Sequence, residues 1–209
     1  MKKILVLLLV FTLIPSLALC STARVADNAT DLQPQGWTSG TLAFKPDSTV
    51  ELNEKGDVVS GVLKYNEHLR SVGIGYSMGS GTPARLYYKG SDATTFFDER
   101  GRVISGTLAG HYNYIYLIPN YEPLVLFKTG TSILFDKNGN VLKGTLRDDT
   151  VLRPAGLKSV KFKSGTEVIF GSNAQVISGT IANDLTVNAI TYPAGTTLQF
   201  SESAYPQKI

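Results

Sequence analysis

The side chains best placed for ligand chemistry are Tyr76, His111, Tyr112, Tyr114 and Tyr116. Read as a strand, the run from His111 to Tyr121 puts Tyr112, Tyr114 and Tyr116 on one face and His111, Asn113, Ile115 and Leu117 on the other. Such a tyrosine ladder stacks on sugars or grips a peptide, its hydroxyls supplying hydrogen bonds, and the same rings serve equally to cover a sheet. The chain has two histidines, His68 and His111, and a lone loop histidine is ordinarily a solvated one. Glycoside hydrolysis would recruit Glu122, Asp148 or Asp149, with His111 nearby, but it needs two carboxyls held roughly 5 to 9 Å apart across a cleft. Gly73, Gly75, Gly79 and Gly81 suggest a phosphate cradle. No helix pattern or lysine follows where such a cradle needs one, so the run reads as a flexible surface loop. Asp136 to Asn140 looks like a calcium loop with its glycine misplaced, which makes it a turn. These residues assign no catalytic group, metal site or cofactor.

The elements that must hold these residues repeat. Phe44-Lys45 … Asn53-Glu54-Lys55-Gly56 … Ser60-Gly61-Val62-Leu63 returns as Tyr88-Lys89 … Asp98 to Gly101 … Ser105-Gly106-Thr107-Leu108. It returns again as Phe127-Lys128 … Asp136 to Gly139 … Gly144-Thr145-Leu146, and as Phe162-Lys163 … Gly179-Thr180-Ile181. Asp or Asn opening a tight turn bonds back to the backbone, and the fourth-position glycine takes positive φ without penalty. In the fourth copy Gly171 opens the turn and Ala174 closes it, so Asn173 is expected to take the left-handed conformation. In the third copy, parity puts Phe127, Ile133, Phe135, Val141 and Thr145 on one side and Leu142 and Leu146 on the other. Apolar residues on both sides predict a sheet covered on more than one face. The recurrent strand glycine marks a close approach, expected to set the stacking distance between units.

An isolated hairpin is marginal in water, so the units must pack on one another. The fold class is therefore all-β, with stacked β-hairpin repeats forming a solenoid or extended roll; a closed barrel or sandwich is the alternative. The units span about 42–63, 86–108, 124–146 and 160–181, with a partial one at 190–200, inside a repeat domain of 37–209. Insertions at 65–85 and 109–123 mark one face, often the binding face in such arrays.

The N-terminus has Lys2 and Lys3 ahead of an uncharged run from Ile4 to Leu19, the pattern of a secretory signal over residues 1–20. Leu17-Ala18-Leu19-Cys20 resembles a bacterial lipobox, which implies lipidation at Cys20. Ordinary cleavage after Cys20 or Ala23 is the other route. Residues 21–36 are then a flexible linker. Cys20 is the only cysteine, so a disulfide or thiolate site is not expected in the folded part. Without residues 1–20 the chain carries 18 basic and 17 acidic residues, a balance that offers no footprint for nucleic acid.

The run Phe135-Asp136 … Gly139-Asn140-Val141 … Gly144 is similar to the hairpins of choline-binding and glucan-binding cell-wall repeats and, more loosely, resembles MORN-type repeats. The likeness covers about ten residues per unit and implies exported bacterial hairpin-repeat proteins, most without an assigned activity. The only tryptophan, Trp37, stands outside the hairpins, so the choline or sugar cage of those repeats does not carry over. The expectation is a non-enzymatic cell-envelope or secreted binding or structural protein whose partner is a glycan, a peptide or an envelope protein. Its address is an outer-membrane or cell-surface lipoprotein, otherwise periplasmic or secreted, with membrane contact only through a lipid anchor at Cys20. The alternative is a carbohydrate-active enzyme with a shallow cleft on the array.

Overall fold

The computed structural model describes residues 21–27, 30–73, 75–76, 85–111, 113–118, 121–171, 173–201 and 206–209. The signal and Cys20 lie outside them, as do Tyr112 and most of the Gly73 to Thr82 run. The described residues are all strand, turn and loop. The first unit has β1 (Ser21–Arg24), a side pair β2 (Asp31–Leu32) and β3 (Leu42–Ala43), and a main hairpin β4 (Thr49–Leu52) and β5 (Val58–Val62). The second has β6 (Glu67–Leu69), β7 (Gly75–Tyr76) and β8 (Leu86–Tyr88) before its hairpin β9 (Thr94–Phe97) and β10 (Val103–Thr107). The third has the side pair β11 (Asn113–Ile118) and β12 (Tyr121–Phe127) and the hairpin β13 (Ser132–Phe135) and β14 (Val141–Thr145). The fourth repeats this with β15 (Thr150–Leu152), β16 (Val160–Phe162), β17 (Glu167–Phe170) and β18 (Val176–Thr180). The chain closes with β19 (Leu185–Val187), β20 (Ile190–Tyr192), β21 (Thr197–Gln199) and β22 (Gln207–Lys208).

The main hairpins join edge to edge in one antiparallel 11-stranded sheet, ordered β1-β4-β5-β9-β10-β13-β14-β17-β18-β21-β22. Its outermost strands do not meet, which removes the closed barrel. Within 21–36, expected as a flexible linker, described residues are paired: β1 with β4, β2 with β3, and Pro34 bridges Val58.

Each hairpin turn has the expected chemistry. In the third unit Asp136 Oδ1 accepts the amides of Asn138 and Asn140 at 2.8 and 2.9 Å, and Gly139 takes φ 90°. In the fourth, the left-handed residue is Ala174 at φ 59°, not Asn173, because the Gly171 carbonyl accepts its amide and fixes it at the closing position. Past each turn the register shifts: Phe135 faces Val141 but Leu134 faces Lys143. This bulge reverses the parity of the second strand. Leu146 is therefore buried and Thr145 only half-buried, against the simple count.

The core is a set of ladders climbing through the units. Val58, Val103, Val141 and Val176 form one, and Leu63, Leu108, Leu146 and Ile181 another, all fully buried. Each such side chain adds roughly 2 kcal/mol. The second unit departs from its neighbours. Thr95 stands where they have Val50, Ile133, Val168 and Leu198, and its buried hydroxyl has no hydrogen-bond partner. Tyr88 replaces Phe44, Phe127 and Phe162, and its hydroxyl bonds with Ser71. Burial pushes the Tyr88 phenol well above its ordinary value, opposed in part by that bond.

The repeated strand glycine has a different role from the one expected. A methyl on Gly61, Gly106, Gly144 or Gly179 would lie 2.6 to 2.8 Å from a ring carbon of Phe44, Tyr88, Phe127 or Phe162, the aromatic of its own unit. The stacking contact comes instead from the turn after the next aromatic. There Ser91, Gly130, Gly165 and Gly195 have positive φ and donate their amides to the carbonyls of Leu63, Leu108, Leu146 and Ile181. The outer face of the long sheet, expected to be covered, leaves Phe96, Leu134 and Ile177 exposed.

Candidate functional site

The inserted segments converge on the third unit. Tyr114 of β11 pairs with Tyr76 of β7 on one side and Leu126 of β12 on the other. Asn113, Ile115 and Leu117 point into the core and Tyr114 and Tyr116 lie half-buried on the opposite face, as the alternation requires. Gly73, expected in a flexible surface loop, is buried against the third unit, where any side chain would collide with the Phe135 ring. The segment from Ser71, bridged to Val103, to Tyr76 therefore ties the second unit to the third.

His111 lies before β11 and is exposed. It lines a cavity of about 770 Å³ with Lys128, Thr129, Arg147, Ser164 and Gly165, at the junction of the third and fourth units. The Arg147 guanidinium donates to the His111 carbonyl at 2.9 Å. Of the five expected residues, Tyr76 and Tyr114 are cross-strand partners, Tyr116 lies two residues further along β11, and His111 lines the cavity.

The repeat sets His111 apart from its counterparts. Three residues past each buried leucine or isoleucine, the chain has Asn66, His111, Asp149 and Asp184 in turn. Three of these clamp the turn that follows their unit's aromatic. Asn66 Oδ1 accepts the Gly90 amide at 2.9 Å, Asp149 Oδ1 that of Ser164 at 2.8 Å, and Asp184 Oδ1 that of Ala194 at 2.8 Å. The Ser164 amide, helped by Lys161 at 3.7 Å, holds the Asp149 carboxyl below its ordinary value. His111 has no carboxylate or amide oxygen to place there. In its unit the Thr129 hydroxyl and the Asn113 amide turn to the Gly110 carbonyl instead.

Lys128 and Arg147 were not singled out in the sequence, although the aromatic-lysine dipeptide recurs in every full unit. Of the acids of the hydrolytic alternative, Asp148 is exposed and Asp149 accepts the amide of Ser164; no carboxylate is among the described residues that line the cavity. His68 stacks on Tyr87 with ring centroids 4.3 Å apart, on the second unit's side pair.

Fold and site together define an open β-hairpin repeat protein with one junction that departs from the repeat. Compared with known proteins, the chain matches no protein-family model, no curated protein and no solved structure.

Proposed function

We propose that this is an exported, non-enzymatic envelope protein that binds a glycan on the third unit, through the Tyr76, Tyr114 and Tyr116 face and the adjoining cavity at His111. The carrying observation is that the two inserted segments pair through Tyr76 and Tyr114, while His111, where the other units have Asn66, Asp149 and Asp184, lines a cavity. Tyr114 and Tyr116 are half-buried, tyrosine rings are surfaces on which sugars stack, and the cavity offers hydrogen-bond donors. The hairpin stack advances as a solenoid, with the side pairs closing each turn over the core. The signal-like residues 1–20 and Cys20, together with the likeness to wall-binding hairpins, support an envelope address with a lipid anchor.

The test is calorimetric titration of short neutral and uronic-acid oligosaccharides against the protein and its Tyr114→Ala/Tyr116→Ala variant. Binding of at least one oligomer, weakened tenfold or more in a variant with an unchanged far-UV spectrum, is expected. Equal binding by the folded double variant would remove the site.

A further inference from the structure

From the side pairs we infer that the glycan-binding surface runs on from the third unit to the second, where Tyr87 and the His68 ring stacked on it form a second sugar platform. The ligand is then an extended oligosaccharide laid across the strands; this rests on the glycan-binding reading above. The array contains its own comparison. In every side pair the residue ahead of the closing aromatic has one cross-strand partner. In the first unit the two are Ala43 and Asp31, in the fourth Lys161 and Val151, and in the last Thr191 and Thr186. In the second they are Tyr87 and His68, and in the third Leu126 and Tyr114. All are exposed or half-buried, while Leu69, Leu86, Ile115 and Val125 beside them are buried, so strand alternation turns this pair outward. Of these pairs, those of the second and third units alone carry rings.

The two ring-bearing pairs adjoin. The Tyr87 carbonyl accepts the Ala109 amide at 2.7 Å, and a methyl on Gly110 would stand 3.8 Å from Tyr87 Cβ. The Gly110 carbonyl in turn accepts the side-chain amide of Asn113 at 2.7 Å, at the start of the strand that carries Tyr114 and Tyr116. The His68 and Tyr87 rings lie 4.3 Å apart between centroids and 19° from parallel. His68 is exposed and Tyr87 half-buried. Each ring limits the other's rotation, so the platform is ordered before a ligand arrives, which lowers the cost of binding. Successive units advance by two strands of the long sheet, about 10 Å. A ligand that touches both platforms is therefore longer than one sugar and runs from unit to unit. A peptide added to a sheet edge would run along the strands instead, which favours a sugar chain.

The test is calorimetric titration of cellobiose, cellohexaose, digalacturonate and hexagalacturonate against the full chain, with the histidine ring signals followed by NMR in the same titrations. The chain has two histidines, His68 on the platform and His111 at the cavity, so the two sites report separately. One hexamer is expected to bind about tenfold or more tighter than its dimer. It should shift both histidine signals, whereas the dimer shifts that of His111 alone. His68→Ala/Tyr87→Leu should bring hexamer binding down to the dimer's level, and Val151→Ala, at the same register in the fourth unit, should bind as the parent does. Because a cross-strand ring pair also steadies its strands, the His68 signal of the parent protein reads the contact without any substitution. A hexamer that shifts His111 and leaves His68 unmoved, or that binds no tighter than its dimer, would overturn the extension and leave the third-unit reading standing. Binding of none of these sugars overturns both. A hexamer advantage lost equally in Val151→Ala would mean contact all along the face and would also overturn it.

Discussion

A hydrogen atom at one backbone position seats each aromatic ring. Gly144 has ordinary negative φ, so its identity is set by space alone: a methyl there would lie 2.6 Å from Cδ1 and Cε1 of Phe127 and 2.9 Å from Ile133. Those neighbours are fully buried and cannot swing aside, and overpacking of this kind costs about 3 kcal/mol. Gly56 is the converse case, with open space around it and φ 82°. There a methyl costs about 1 kcal/mol, from backbone strain. Urea denaturation should therefore rank Gly144→Ala well below Gly56→Ala in stability, and Phe127→Leu should recover part of the first loss. A neutral Gly144→Ala would show that the ring is not seated over that glycine.

The elements are held by short side-chain clamps as well as by strand pairing, and one of these can be titrated. Because the Ser164 amide holds the Asp149 carboxyl low, the ionised clamp stabilises the fourth unit above the unfolded carboxyl's pKa, about 3.9. That contribution is lost as pH falls through the lower, folded value. The Ser164 amide proton should follow the titration by NMR with a midpoint below 3.9, about the free-aspartate value, and Asp149→Asn should flatten it; a midpoint at or above that value would contradict the clamp. The main hairpins were legible in the sequence because Asp136 to Gly139 and its counterparts leave no alternative to a tight turn. The bulge after each turn was not, since Leu142 is one more apolar residue in an apolar run and parity counted through it reads normally. The side pairs of the first, second and fourth units were missed as strands because their two or three residues give no alternation to count. The tyrosine face was found from its own periodicity. Its basic neighbours were not, because Lys128 and Arg147 come from opposite ends of a unit and each looks like a solvated cation. The readable signal was the series Asn66, His111, Asp149 and Asp184, in which only the histidine lacks an acceptor oxygen.

At the scale of the whole molecule, the core is one continuous cluster from Val25 to Phe200, yet the long sheet that backs it joins each unit only to its neighbours. Energetics of such an array are close to one-dimensional, a sum of unit and junction terms. The junction of the first two units has a strut that the hairpins alone would not supply. In the turn from Pro34 to Trp37, the Gln35 amide donates to the Phe97 carbonyl at 2.6 Å and Trp37 Nε1 to the Gly101 carbonyl at 3.0 Å. A side chain on Gly101 would collide with the Trp37 indole, and one on Gly36 with the backbone of Glu99. Removing the indole in Trp37→Ala discards this packing and leaves the Gly101 carbonyl without its donor, a loss of about 2 kcal/mol. The loss belongs to one junction, and the Ser71 to Tyr76 segment fastens the second unit to the third independently. Hydrogen exchange followed by mass spectrometry should therefore show faster exchange over residues 30–63 and the Asp98 to Gly101 turn, with residues 132–181 unchanged. Uniform loss of protection along the chain would mean that the units fold as one indivisible body, and that the strut is only one of many equivalent contacts.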